Sequence, residues 1–291
     1  MNQPTLKPES GFFRAKITLA YDGTNFFGWG KQRDRRTIQG ELEDALRTLY
    51  RRDLETVVAG RTDAGVHATG QVIHVDLPIG GASDFGFEFE DLAYRLNRIL
   101  TEEIRIKNAE RAPEDFHARF GALRRHYIYK IQDGLGIIEP VKRLDITPWY
   151  RHLDIEKMNS AASDLLGEHD FFSFAKYREN STTIRNLERF DFTRSEEGLI
   201  ISHISADAFC YNMVRSLIGA MVYIGEGRFP TSWARETLIK RERPSDSVVF
   251  PARGLTFVGV EYPVDSQLAA RANKVMGLRD LSNINDDDGE N

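Results

Sequence analysis

The sequence predicts an α+β protein of two similar α/β halves carried on a mixed, mostly antiparallel sheet. Three observations lead there. Stretches of period-two and period-3.6 apolar spacing alternate along the 291 residues, and the same style runs twice, the halves meeting near residues 110–120. Two strand-like runs, Thr56-Val57-Val58-Ala59 and Gln71-Val72-Ile73-His74-Val75-Asp76, are joined by a connection too short for the helical crossover a parallel pair needs. That connection, Gly60 to Gly70, holds three glycines in eleven residues, so it belongs to neither helix nor strand, yet it carries Arg61, Asp63 and His67. It reads either as a catalytic or binding loop or as a turn with solvated charges.

The elements follow in order. Residues 14–21 alternate polar and apolar as a half-buried strand does, and Asp22-Gly23-Thr24 ends it. Phe26, Phe27 and Trp29, interleaved with Gly28 and Gly30, form either core or a surface for stacked bases. Thr37 is placed to cap a helix whose Ile38, Leu42, Ala45, Leu46 and Leu49 share one face. After the glycine-rich segment 79–88, a helix is expected over 92–100 and a strand at 104–106. In the second half, strands are expected at 126–131 and 256–262 and helices at 155–167, 209–224 and 231–240. A hairpin is expected over 186–205, turning through 194–197. Residues 12–112 form the expected N-terminal half and 113–265 the C-terminal half, with 1–11 and 266–291 as flexible or loosely attached tails.

Composition narrows the function. Hydrophobic content of 41% and charge of 29% are ordinary for a globular protein, and no run of eighteen apolar residues suggests a membrane span. The polar, proline-bearing start, Met1 to Ser10, reads as a short disordered leader without a targeting signal. One cysteine, Cys210, excludes an internal disulfide framework and a multi-cysteine zinc site; it sits in an apolar run and is expected to be packed, and the cytoplasm is the natural compartment. The net charge of −5 equals the charge carried by residues 280–291 alone, so the rest of the chain is neutral overall. Within it lie basic clusters: Lys31, Arg33, Arg35 and Arg36 against Asp34, and seven Lys or Arg against three acids over 105–130. Such clusters matter more for phosphate contact than the net value.

The chemistry-bearing residues are few. Asp63, His67, His74 and Asp76 have ligand atoms of the right type but match no zinc spacing. There is no Gly-x-Ser-x-Gly elbow, no Gly-x-Gly-x-x-Gly and no phosphate loop, so neither acyl-enzyme chemistry nor a nucleotide cofactor is indicated. What remains is Asp63, a single carboxylate that needs a cation or donors to stay ionised in a water-poor pocket. Arg61 or an arginine from elsewhere meets that need. A base extruded from folded RNA would further require a side chain to fill its place and a flat ring to stack on.

Six ordered motifs resemble the tRNA pseudouridine synthase A (TruA) family. They are Tyr21-Asp22-Gly23-Thr24 with Gly28-Trp29, Gln32 and Gln39; Gly60 to Ala68 through Gln71; and Asp115 to Phe120 with Arg125-His126-Tyr127-Ile128-Tyr129. Then come Leu166 to Phe171 with Ser173-Phe174; Phe209 through Met213-Val214-Arg215 to Gly219; and Pro251 to Leu255 with Val260-Glu261-Tyr262-Pro263. The resemblance spans residues 16–263. It implies two α+β halves around a central sheet with a basic catalytic cleft between them, and a homodimer gripping tRNA. It also implies isomerisation of uridine to pseudouridine in the anticodon stem-loop, at family-type positions 38–40 of the tRNA, without metal or organic cofactor. Asp63 matches the essential aspartate, attacking ribose C1′ or removing the C2′ proton. Tyr127 matches the tyrosine that stacks on the target base, Arg215 the arginine that pairs with the aspartate, and Arg61 the residue that fills the vacated stack. His67 reads as a loop-ordering hydrogen-bonder. Gly30 departs from the family, which commonly has glutamine there. The alternatives are an RNA-binding module of the same fold without chemistry and a metal-dependent hydrolase using Asp63, His67 and His74.

Overall fold

The computed structural model describes residues 7–79, 86–176, 182–244 and 248–276. Most of the segment 79–88 and the acidic tail beyond residue 276 lie outside them. Ten strands and five α-helices of eight or more residues are named among the described residues, and the chain divides into two compact units: residues 1–123 with 258–291, and 124–257.

In the first unit, β1 (Phe12–Tyr21) lies between β3 (His67–Pro78) and β4 (Ile104–Arg111), antiparallel to both, and β2 (Thr56–Val58) pairs with β3. The two runs flanking the glycine-rich loop are therefore antiparallel neighbours, as its shortness requires. Helix α1 (Ile38–Tyr50) starts where the sequence places it: the Thr37 hydroxyl accepts from Gly40 N at 3.2 Å, a cap worth about 1 kcal/mol. Its Ile38, Leu42, Ala45 and Leu46 are buried, and α2 (Leu92–Ile99) buries Leu92 and Leu96.

Residues 113–123, expected with the second half, pack on the first unit. Fully buried Arg14 donates to Asp76 through Nε and Nη2 and to the carbonyls of Glu114 and Phe116 through Nη1. His74 accepts from Ala118 N at 3.0 Å. Nor is the chain loose immediately after residue 265. A helical segment at 268–276 brings Leu268 into a cluster with Ala59, Val72, Phe116 and Ala118.

In the second unit the strand order is β5 (Arg124–Gln132), β9 (Ile200–Ala206), β8 (Ile184–Arg194), β7 (Gly167–Asp170), all antiparallel, with β6 (Thr147–Pro148) parallel to β5. Helix α3 (Ile155–Ser163) is capped by Asp154 and stops short of the expected residue 167, where Gly167, at a positive φ of 99°, opens β7. Helix α4 (Met213–Gly225) begins four residues later than expected. Asn212 precedes it in the left-handed region, at φ 63°, and breaks any helix through 209–212. Cys210 is therefore off the helix and only partly buried, and Tyr211 shares no helical stripe with Arg215. Helix α5 (Trp233–Lys240) follows, and β10 (Leu255–Glu261) begins in this unit and ends in the first.

Candidate active site

The loop from Ala59 to Val66 is fixed by residues from β1, β3 and the turn after β1. Gln71, fully buried on β3, donates to the Gly60 carbonyl at 2.8 Å and to the Tyr21 hydroxyl at 3.2 Å. That hydroxyl lies 2.8 Å from the Thr62 hydroxyl. Burial pushes the Tyr21 phenol up to about 12, against the opposing bonds of Thr62 and Gln71, so it stays protonated. The backbone is held as tightly: Trp29 N donates to Thr62 O at 3.0 Å, Gly65 N to Phe26 O at 3.3 Å and Val66 N to Asp63 O at 3.2 Å. Asp63, half-buried, thus sits on a loop anchored on both sides of it, with Arg61 exposed two residues before.

Two glycines make the close approach possible. A Cβ on Gly23 would stand 2.0 Å from the Val66 carbonyl oxygen, and one on Gly28, where φ is +88°, would stand 2.8 Å from Thr62 O. Gly23 N donates to His67 Nδ1 at 3.2 Å, the ordering role expected of that histidine. Nearby, burial raises the Asp22 carboxyl, but bonds from the Thr24 hydroxyl and amide, with His67 beside it, hold it below the usual carboxylate range. The aromatic cluster is divided: Phe26 and Trp29 are core, whereas Phe27 is 49% exposed with the Arg35 guanidinium 4.5 Å from its ring. Arg36 is committed to Glu41 and Glu103 at 2.5 and 2.6 Å, which removes it from the expected phosphate contacts.

The second unit carries the other two candidates. Tyr127, on β5, is 8% exposed and meets the rings of Phe209 and Phe257 edge-on at 5.2 and 5.1 Å. Arg215, half-buried on the first turn of α4, donates from Nε to Phe250 O at 2.6 Å, while Phe250 N donates back to Arg215 O at 3.1 Å. The segment after it is equally close. A Cβ on Gly219 would lie 2.3 Å from Val248 O, one on Gly254 would lie 2.7 Å from the Tyr129 ring, and the Tyr129 hydroxyl donates to Pro251 O at 2.7 Å. The fifth motif therefore touches residues 248–250, just before the sixth, and the sixth touches Tyr129 of the third.

Three of the residues weighed as metal ligands have other partners. His74 accepts a backbone bond, Asp76 is paired with Arg14, and His67 orders Gly23. Among the described residues no three His, Cys, Asp or Glu are grouped to hold an ion. No helix of the described residues is long and apolar enough to cross a membrane.

The model of a tRNA pseudouridine synthase family matches residues 17–121 and 161–263. The chain belongs to that family. Its relatives include proteins named tRNA pseudouridine synthase A from Frankia casuarinae (46% identical, covering 92% of this chain and 96% of that one) and Streptomyces griseus (46%, covering 94% and 96%). The one from Mycobacterium leprae is 44% identical and covers 91% of this chain and 95% of its own. A pseudouridine synthase is an isomerase, here one acting on tRNA uridine. Sequence reasoning overlooked how the Asp63 loop is held. Tyr21 and Gln71 were both visible in the motifs, but nothing in the sequence showed that they meet Gly60 and Thr62.

Proposed function

We propose that this protein converts uridine to pseudouridine in the anticodon stem-loop of tRNA, with Asp63 as the catalytic carboxylate. The supporting observation is the Asp63 loop, clamped through Gly60, Thr62 and Gly65 so that a single carboxylate is presented from a fixed backbone. Asp63 either attacks ribose C1′ or takes the C2′ proton. In both routes the N1–C1′ bond breaks, the freed uracil turns and C5 bonds to C1′, as the Asp63–C1′ bond breaks in the first route and as the C2′ proton returns in the second. The C5 proton then leaves to a base and N1 takes up a proton, so that product and substrate are isomers. Tyr127 stacks on the target base, Arg215 serves as the cation that keeps Asp63 ionised, and Arg61 fills the gap left by the extruded base. Arg33 and Arg35, both exposed, are offered to phosphates. The active form is a cytoplasmic homodimer that grips tRNA.

The test is to incubate purified protein with unmodified tRNA and map pseudouridine, expecting conversion confined to the anticodon stem-loop. Conversion elsewhere, or none, contradicts the reading. Tyr127→Phe keeps the stacking ring and retains turnover, while Tyr127→Leu lowers it by roughly tenfold or more, as loss of a base–aromatic stack would; full activity in Tyr127→Leu would remove the stacking role.

A further inference from the structure

The second unit holds a cavity that neither Tyr127 nor Arg215 lines. It measures about 510 Å³ and is bordered by Trp149, Tyr150, Arg151, Tyr223, Glu226 and Arg228, within the roughly 300–1,000 Å³ of ordinary small-ligand sites. Glu226 is its unusual member. It follows the last residue of α4, the helix end where a carboxylate is least welcome, and its side chain is only 4% exposed. It accepts from the Trp149 indole N–H at 3.1 Å, and Arg151 Nη1 stands 3.7 Å away, beyond hydrogen-bond reach. A carboxylate accepts about four bonds, so this one has acceptor capacity to spare at the cavity.

The walls suit a flat ligand. Trp149 and Tyr223 pack on each other as one wall, tilted by 46° with ring centroids 6.3 Å apart; Tyr150 is 90% exposed at the rim, and the Arg228 guanidinium lies 4.4 Å from the Tyr223 ring. Two arginines at the rim disfavour a bare cation and favour an anion beside the flat group. A planar ring with two adjacent N–H donors and an attached phosphate meets all three demands, and among RNA bases guanine alone presents N1–H and N2–H side by side.

We propose that this cavity binds a guanosine phosphate: Glu226 accepts from N1–H and N2–H, the Trp149 or Tyr150 face stacks on the base, and Arg151 and Arg228 meet the phosphate. The ligand is either a free nucleotide or an unpaired guanosine in an RNA strand. The proposal stands independently of the isomerase reading, because its readout is binding.

The experiment titrates the full chain with GMP, AMP and short single-stranded RNAs carrying one G or one A, read by calorimetry. GMP is expected to saturate and to bind at least roughly tenfold more tightly than AMP, the discrimination of one bidentate base contact. Glu226→Gln keeps an oxygen for Trp149 but should lose the preference. Should Glu226→Gln fold poorly, Arg228→Gln serves instead, weakening GMP while leaving the nucleoside guanosine unchanged. Tighter binding of the G-bearing RNA than of GMP marks an RNA subsite, and the reverse marks a nucleotide site. Equal affinity for GMP and AMP, no saturation by either guanosine ligand, or variants indistinguishable from wild type would overturn the proposal.

Discussion

At the scale of single residues, backbone clearance decides where Asp63 stands. Gly28→Ala would place a methyl 2.8 Å from Thr62 O at a φ of +88°, so either that turn or the 62–64 backbone must shift. The expected cost is about 1–3 kcal/mol of stability, read by urea denaturation, with loss of activity greater than the stability change explains. Gly30→Gln restores the residue common in the family. Its Cβ would meet the Arg61 side chain at 3.9 Å, an ordinary contact, so Gly30→Gln should fold as wild type and alter only how Arg61 is held. The glycines and Asp63 were legible from their motifs. The clamp was not, since hydrogen bonds between residues 21, 62 and 71 follow from strand register, which alternation alone does not specify.

Elements show the same division between local and distant causes. Helix α1 was legible because its cap and its apolar face both lie within fourteen residues of sequence. The start of α4 was not: Phe209, Cys210 and Tyr211 extend the apolar run of the helix with no Gly or Pro to stop it, and it is the left-handed Asn212 that breaks the pattern. The segment 113–123 belongs to the first unit through Arg14, about a hundred residues away. Arg14→Met would leave the carbonyls of Glu114 and Phe116 without their buried donor and is expected to cost about 3–5 kcal/mol. Beside Arg14 lie two neutral histidines with ring centroids 4.8 Å apart. Burial, reinforced by the Arg14 charge, pushes His74 well below its ordinary 6.5 and His117 to about 4. The unfolded chain therefore takes up these protons below about pH 6.5, while the folded one resists, to about pH 4 at His117. Stability from this pair is full above 6.5 and falls as pH drops through that window, by up to about 1.4 kcal/mol per pH unit per group. Urea denaturation at pH 7 and pH 5 checks it, and His117→Asn, which keeps an acceptor for the amides of Arg119 and Phe120, should flatten the slope.

Over the whole molecule, charge is unevenly spread along the sequence. Residues 280–291 carry the entire net charge of −5. A variant lacking them is expected to bind tRNA more tightly at low salt and equally at high salt, with unchanged kcat, because the tail acts only through long-range repulsion. An unchanged affinity at every ionic strength would show that the tail is screened from the RNA. The proposed catalytic role of Asp63, on a loop held by Tyr21, Gln71 and Trp29, is more local. The most direct test compares wild type and Asp63→Asn on unmodified tRNA, measuring tRNA binding and pseudouridine formed. Asparagine is nearly isosteric but uncharged, so tRNA binding is expected to persist within a few-fold while no pseudouridine forms. Pseudouridine accumulating in Asp63→Asn at anything near the wild-type rate would contradict the account.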